Sequence, residues 1–323
     1  MKVVLGIVVL LLIAVVLVMA TRKHPAVSAL PVTAAPEALV AELHRDVVAL
    51  CDIGERSTIL PAGLAAGADF IEREFSAAGY RVERHTYRVE RDDVDSANLI
   101  VEIRGRTRPD EIVVIGAHYD SVTGTVGADD NASGVAALLA LARRFAHAKP
   151  ERTLRFVAFA NEEPPHFHTE DMGSWQYARR CHDRGENVEA MVSLETIGYY
   201  SDERHSQNHP AAVSVFYPDT GNFIVFASDV SSIPLNARSV RAFRARTKFP
   251  AESASLPEAV TGIGWSDHWS FWQFGWPAIM VSDTAVFRNP HYHEASDLPP
   301  TLDYARFAQV VEGLIGVVEE LSS

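Results

Sequence analysis

Seven acidic or imidazole side chains stand where apolar runs stop. His118 and Asp120 follow EIVVIGA in the segment GAHYD. Asp129 and Asp130 open GADDNASG, just ahead of a helical pattern. Glu162 and Glu163 follow LRFVAFA in FANEEP, and Glu195 lies near the end of a third run in SLETIG. Carboxylates gathered this closely raise one another's pKa unless a cation neutralises them, and a bound metal is such a cation. Imidazole and carboxylate donors without thiolates suit zinc best, with manganese and cobalt as alternatives. Each residue alone has a plainer reading. Adjacent glutamates are usually a solvated surface pair, His-x-Asp a loop hydrogen bond, Asp130 a helix cap, and Glu195 half of a salt bridge. Their coincidence at three strand ends favours chemistry.

The elements that must position these residues alternate. Leu39–Leu50 and Leu64–Ala78 carry apolar residues at helical spacing, and Gly79 ends the second helix. Tyr80–Val89 and Asn98–Ile103 read as strands. Glu111–Ala117, Leu154–Ala160, Ala190–Ile197 and Pro277–Val281 read as strands covered on both faces. Val135–Ala146, Ser174–Cys181 and Asp303–Leu321 read as helices between and after them. Such alternation predicts a three-layer α/β/α sandwich with a central mixed, mostly parallel sheet, and open sheets of this kind bind ligands at the carboxyl ends of their strands. Tyr199–Thr261 is less regular and polar, which suggests loops roofing a site. The aromatic group from Trp265 to Trp276 reads as core and pocket wall.

Composition narrows the function. The 42 acidic residues outnumber the 29 basic ones, giving a formal charge of −13, which argues against a nucleic-acid surface. No GxGxxG or P-loop occurs, so a nucleotide cofactor has no support. Two cysteines, Cys51 and Cys181, exclude a disulfide framework and a four-cysteine zinc site. Val3–Ala20 is an uncharged apolar run of 18 residues. At about 1.5 Å per residue it would span roughly 27 Å, close to a bilayer's hydrocarbon thickness. Residues 1–24 are therefore expected to form a transmembrane anchor, or a signal segment cleaved near Val18-Met19-Ala20. Residues 25–38 read as a linker and 39–323 as one domain. Either fate of the first segment implies a domain exported to the periplasmic or extracellular side, membrane-anchored in one case and secreted in the other.

Six ordered blocks, GAHYDSVTGTVGADDNASGVAALLALA, FVAFANEEPP, MGSWQYA, SLETIG, SDHWSFWQFGWPA and YHEASD, resemble the co-catalytic di-zinc aminopeptidases. That clan also holds the peptidase domain of glutamate carboxypeptidase II and the glutaminyl cyclases. The resemblance runs from about Val40 to the C terminus. It implies two zinc ions, with His118 and Glu195 on the first, Glu163 and His293 on the second, and Asp130 bridging both. Asp129 competes for the bridge and His291 for the place of His293. Glu162 would act as general base on the bridging water, Asp120 would hold the His118 ring by its other nitrogen, and Asp267 would lie just outside the ligands. Many members carry Asp where Glu195 stands, and Pro164–Asp171 (PPHFHTED) is longer than the family's usual short link. No role is assigned to His166 or His168.

The function so implied is a zinc-dependent aminopeptidase acting on peptides with a free N terminus. Three alternatives share the scaffold. A glutaminyl cyclase would work with one zinc, a receptor-like module would have lost ligands, and a carboxypeptidase would need a basic pocket, for which Arg238, Arg241, Arg244 and Arg246 are candidates.

Overall fold

The computed structural model describes residues 36–210 and 213–323. The run Val3–Ala20 and most of the expected linker lie outside the described residues, among which no helix is long and apolar enough to cross a membrane. Helices α1 (Glu37–Cys51) and α2 (Pro61–Ala77) come first, followed by the strands β1 (Glu83–Val89) and β2 (Val94–Ile103). Then β3 (Arg108–His118), α3 (Gly134–Phe145), β4 (Arg152–Phe159), α4 (Gly173–Asp183) and β5 (Asn187–Glu195) alternate. The last part contains β6 (Ile224–Ser228), α5 (Ile233–Arg246), β7 (Ala251–Ser255), α6 (His268–Gln273), β8 (Ala278–Ser282) and α7 (Tyr304–Ser322).

All eight strands of the described residues join one sheet in the order β1-β2-β4-β3-β5-β8-β6-β7. The strands β4, β3, β5 and β8 are mutually parallel, so their carboxyl ends share one edge. The pairs β1–β2, β2–β4 and β6–β8 are antiparallel, which makes the sheet mixed. Side chains alternate across it because strand residues point to opposite faces. On β3, Val113, Ile115 and Ala117 join the large core under α1, α2, α3, α5 and α7, whereas Ile112 and Val114 join the smaller core under α4 and α6. The helices thus form a layer on each face.

Two expectations change. The region Tyr199–Thr261 is not only loops, since it contains β6, α5 and β7. Each of these strands is only five residues long, and β7 (AESAS) has no apolar run to mark it. The helix carries four arginines on a weakly apolar sequence, so its period is faint. The first helix begins at Glu37, two residues before the expected domain start. Cys51 and Cys181 are both free and buried, and burial pushes each thiol up to about 12.

Candidate metal centre

The GADDNASG turn is fastened to the end of β5 by its own side chains. Asn131 Oδ1 accepts the N–H groups of Gly134 (3.0 Å) and Thr196 (3.1 Å), while Asn131 Nδ2 donates to the Leu194 carbonyl (2.9 Å). Ser133 Oγ accepts from Ile197 N–H, and Asp129 Oδ1 from Gly198 N–H. Gly127, in the left-handed region at φ 54°, opens the turn; a Cβ there would collide with the Asp130 carbonyl. These bonds set Asp130 beside Glu195.

The other ends are tied in the same way. The Asp120 carboxylate accepts the N–H groups of Glu162 (3.1 Å) and Glu163 (3.0 Å), joining the end of β3 to the turn after β4. Asp297 accepts from Asp129 N–H (2.9 Å) and Asp130 N–H (3.1 Å), which docks the YHEASD segment onto the acidic turn. Pro164–Asp171 is braced at two points. His166 lies 2.9 Å from Asp92 and 3.0 Å from Thr58, and His168 stacks on Trp269 and contacts the Gly264 carbonyl.

Two donor groups result, His118–Asp130–Glu195 and Asp130–Glu163–His293, and Asp130 belongs to both. His118 Nε2 lies 3.1 Å from Glu195 Oε2 and 3.4 Å from Asp130 Oδ1. His293 Nε2 lies 3.1 Å from Asp130 Oδ2 and 3.3 Å from Glu163 Oε2. The His293 side chain is 31 % exposed, whereas the other four ligand candidates are buried, so the centre opens to solvent at that ring. Glu162 belongs to neither group, but its Oε2 is 4.0 Å from His118 Nε2.

The donor set fits divalent cations. His293 Nε2 and Glu163 Oε1 are buried and make no hydrogen bond among the described residues. His293 Nε2 meets Asp130 and Glu163 without hydrogen-bond geometry, as donors around a shared ion do. Burial raises the carboxyls of Glu162, Glu195 and Glu163, the last to about 8. Burial also opposes charge on His118 and His293, yet neighbouring carboxylates outweigh it. Glu195 and Glu162 lift His118 well above the imidazole range, and Asp130 and Glu163 lift His293 to about 10. Asp130 is itself held below its ordinary value despite burial, by His118 and His293. The cluster draws positive charge to itself, a demand that bound divalent ions would meet.

The rivals are placed elsewhere. Asp129 turns away, accepting from Gly198 N–H and Asn289 Nδ2, and His291 Nδ1 contacts Ser296 Oγ. Asp120 stands 3.5 Å from His118 Nδ1, but its hydrogen bonds go to the paired glutamates. Asp267 is buried and its carboxyl makes no hydrogen bond among the described residues; the neighbouring Ser266 is the residue that reaches a ligand candidate, Glu195. Sequence reasoning missed Ser266, Asn131 and Asp297. All three sit inside quoted motifs, but a serine, an asparagine and a third acid carry no metal signature of their own.

Beside the cluster lies a cavity of about 100 Å³. Glu195 and Tyr292 line it, together with Val225, Ala227, Leu256 and Met280. Several polar side chains around it are bonded to the protein. Gln207 Nε2 donates to Thr284 Oγ1, Tyr217 OH to the Ser253 carbonyl, and His209 Nε2 contacts the Pro218 carbonyl. None of the arginines considered for a substrate carboxylate lines it. Arg238 and Arg241 pair with Glu320, Arg246 with Glu312 and Glu319, and Arg244 donates to the Ala251 carbonyl.

Known proteins resemble this arrangement. Residues 98–318 match the family described as Peptidase family M28. Uncharacterized protein YfbL of Escherichia coli is 36 % identical over 305 residues, covering 90 % of this chain and 91 % of that protein. Probable leucine aminopeptidase 1 of Trichophyton verrucosum is 28 % identical, over 70 % of this chain and 58 % of its own length. Among solved structures, an aminopeptidase from Aneurinibacillus sp. AM-1 superposes with TM-score 0.65 at 16 % identity, over 88 % of this chain and 93 % of its own. A glutaminyl cyclase from Bacteroides thetaiotaomicron gives TM-score 0.66 at 18 % identity, over 87 % and 97 %. Structural likeness at these identities speaks for the shared fold, and the side chains must speak for the chemistry.

Proposed function

The chain belongs to peptidase family M28, and on that footing we propose that it is a zinc aminopeptidase removing apolar N-terminal residues from peptides. One observation carries this reading: two complete donor groups share Asp130, and Glu195, a member of one, also walls an apolar cavity. His118, Asp130 and Glu195 would hold one zinc ion, and Asp130, Glu163 and His293 the other. When bound, the ions supply Lewis-acid activation of the attacking water and of the scissile carbonyl.

Glu162 takes the proton from the attacking water and later delivers it to the leaving amine, a role worth about 10²–10⁴-fold. The burial that raises its carboxyl suits a group that must hold a proton between those steps. Asp120 keeps Glu162 and Glu163 in register by accepting both of their N–H groups. The cavity receives the side chain of the first residue, and burying a leucine-sized group there contributes about 1.5–3 kcal/mol. A complete His118–Asp130–Glu195 group favours this reading over a one-zinc cyclase, and the absence of an arginine from the described cavity lining favours it over a carboxypeptidase. The apolar run Val3–Ala20 supports an exported location for the enzyme, anchored or released by cleavage.

The test is turnover by the zinc-loaded full chain of aminoacyl-chromophore substrates with Leu, Met, Ala, Lys and Glu. N-acetyl-Leu is the blocked control, and a glutaminyl peptide tests cyclisation. Leu and Met should lead, with no turnover of the blocked substrate. Pyroglutamate formation or preference for a charged residue would overturn the proposal.

A further inference from the structure

We infer that residues 164–171, latched by His166, form the wall that receives the second residue of the substrate and favour an apolar side chain there. This deepens the aminopeptidase reading above and rests on it. With the first side chain in the cavity beside Glu195, the leaving amine must come to Glu162, which returns the proton to it. The residue that bears this amine then lies against whatever flanks Glu162. The chain itself supplies that flank, because the paired glutamates run directly into Pro164 and Pro165, both exposed.

Two imidazoles fix the segment. His166 is buried, with Nε2 2.9 Å from Asp92 Oδ2 and 3.0 Å from Thr58 Oγ1, and Thr58 donates to the same carboxylate at 2.6 Å. The latch joins the segment to the β1–β2 turn and to the connection between α1 and α2. His168 stacks on both Phe167 and Trp269, at 4.0 and 4.2 Å between ring centroids, and its Nε2 contacts the Gly264 carbonyl. Trp265, next to Gly264, lines the cavity, so the wall begins where the cavity ends. Its other end meets Thr58, whose neighbours Ile59 and Leu60 are 62 % and 50 % exposed. Just before them, Arg56 N–H donates to Ser121 Oγ and Glu55 accepts from Gly124 N–H, which keeps this connection beside the end of β3.

Charge points the same way. Residues 57–60 and 164–171 contain Glu170 and Asp171 but no lysine or arginine, and Arg91 on the β1–β2 turn faces Asp92 at 4.0 Å. A phenylalanine side chain would be shielded from water against Ile59 and Phe167, whereas an aspartate would meet like charge. His166 reaches no substrate itself; it is a positioning residue that acts through the wall.

The test uses the zinc-loaded full chain and three tripeptide amides, Leu-Phe-Gly, Leu-Gly-Gly and Leu-Asp-Gly, with kcat and KM measured for each. Wild type should rank them Phe, Gly, Asp in kcat/KM. Phe167→Ala and Ile59→Lys should each lower the Phe-to-Gly ratio by about 10-fold, the lower end of what pocket fit provides. Ile59→Lys should also raise the Asp-to-Gly ratio. His166→Ala should lower the Phe-to-Gly ratio through KM rather than kcat. Val286→Asp, in the cavity lining, should leave the Phe-to-Gly ratio in place while changing preference at the first residue. A wild type that does not prefer Phe, or a ratio that neither Phe167→Ala nor Ile59→Lys moves, would overturn the inference. If a thermal melt shows that His166→Ala does not fold, those two variants decide it. Hydrolysis of none of the three peptides would instead overturn the reading on which it rests.

Discussion

At the ends of β3, β4 and β5, backbone groups are held by side chains from neighbouring turns: Asp120 on the paired glutamates, Asn131 on β5, Asp297 on the acidic turn. Around β6, β7 and β8 the cavity wall is made of Val225, Ala227, Leu256 and Met280, whose contacts have no preferred direction. The first region must hold charge in fixed geometry, so a lost hydrogen bond cannot be replaced by volume. The second needs only apolar volume, and such surfaces tolerate substitution while changing what fits. On the proposed reading turnover and selectivity are therefore separable, one belonging to each half of the sheet.

The largest effect that could break this separation is metal removal. Chelation should abolish hydrolysis of every substrate in the panel, and zinc should restore all of them in their original ratio. A changed ratio in continuous assays would mean that the metal centre also sets preference. Next, Glu162→Gln should lower kcat by about 10²–10⁴-fold, measured under saturating substrate, while zinc content stays at the wild-type level. Ala227→Phe should instead change selectivity. Filling the cavity should lower kcat/KM for Leu substrates by about 10–200-fold and largely spare Ala substrates, the range expected from pocket fit alone.

The smallest effect concerns a carboxyl near the centre but outside both donor groups. Burial pushes Asp267 up to about 7, from an ordinary value of 3.8. Between these values the folded chain holds a proton that the unfolded chain has released, so stability is lost as pH rises through that window. In metal-stripped protein, Asp267→Asn should raise Tm relative to wild type at pH 8 and hardly at pH 4, a difference on the order of 1–4 kcal/mol. Equal melting shifts at both pH values would show that this carboxyl carries no such burial cost.

The same division explains what could be read without a structure. The parallel strands announce themselves as continuous apolar runs, and metal-type residues stand out because they recur at the ends of three of them. The cavity half was less legible: β8 was read from Pro277–Val281, but β6 and β7 were not. The strands β6 and β7 are short, β7 without an apolar run, and α5 reads as polar because four arginines on it make surface ion pairs and a carbonyl bond. Residues that hold the ligand candidates, such as Ser266 and Asp297, were hidden for another reason. Their importance lies in the partner each reaches across the fold, not in its own residue type.

The most direct measurement is zinc stoichiometry by native mass spectrometry of the wild-type chain and of Glu195→Ala, Glu163→Ala and Asp130→Ala. Two zinc ions are expected in wild type, one in each glutamate variant, and fewer still when the shared Asp130 is removed. A single zinc in wild type that survives Glu195→Ala would contradict a two-metal centre built on Asp130.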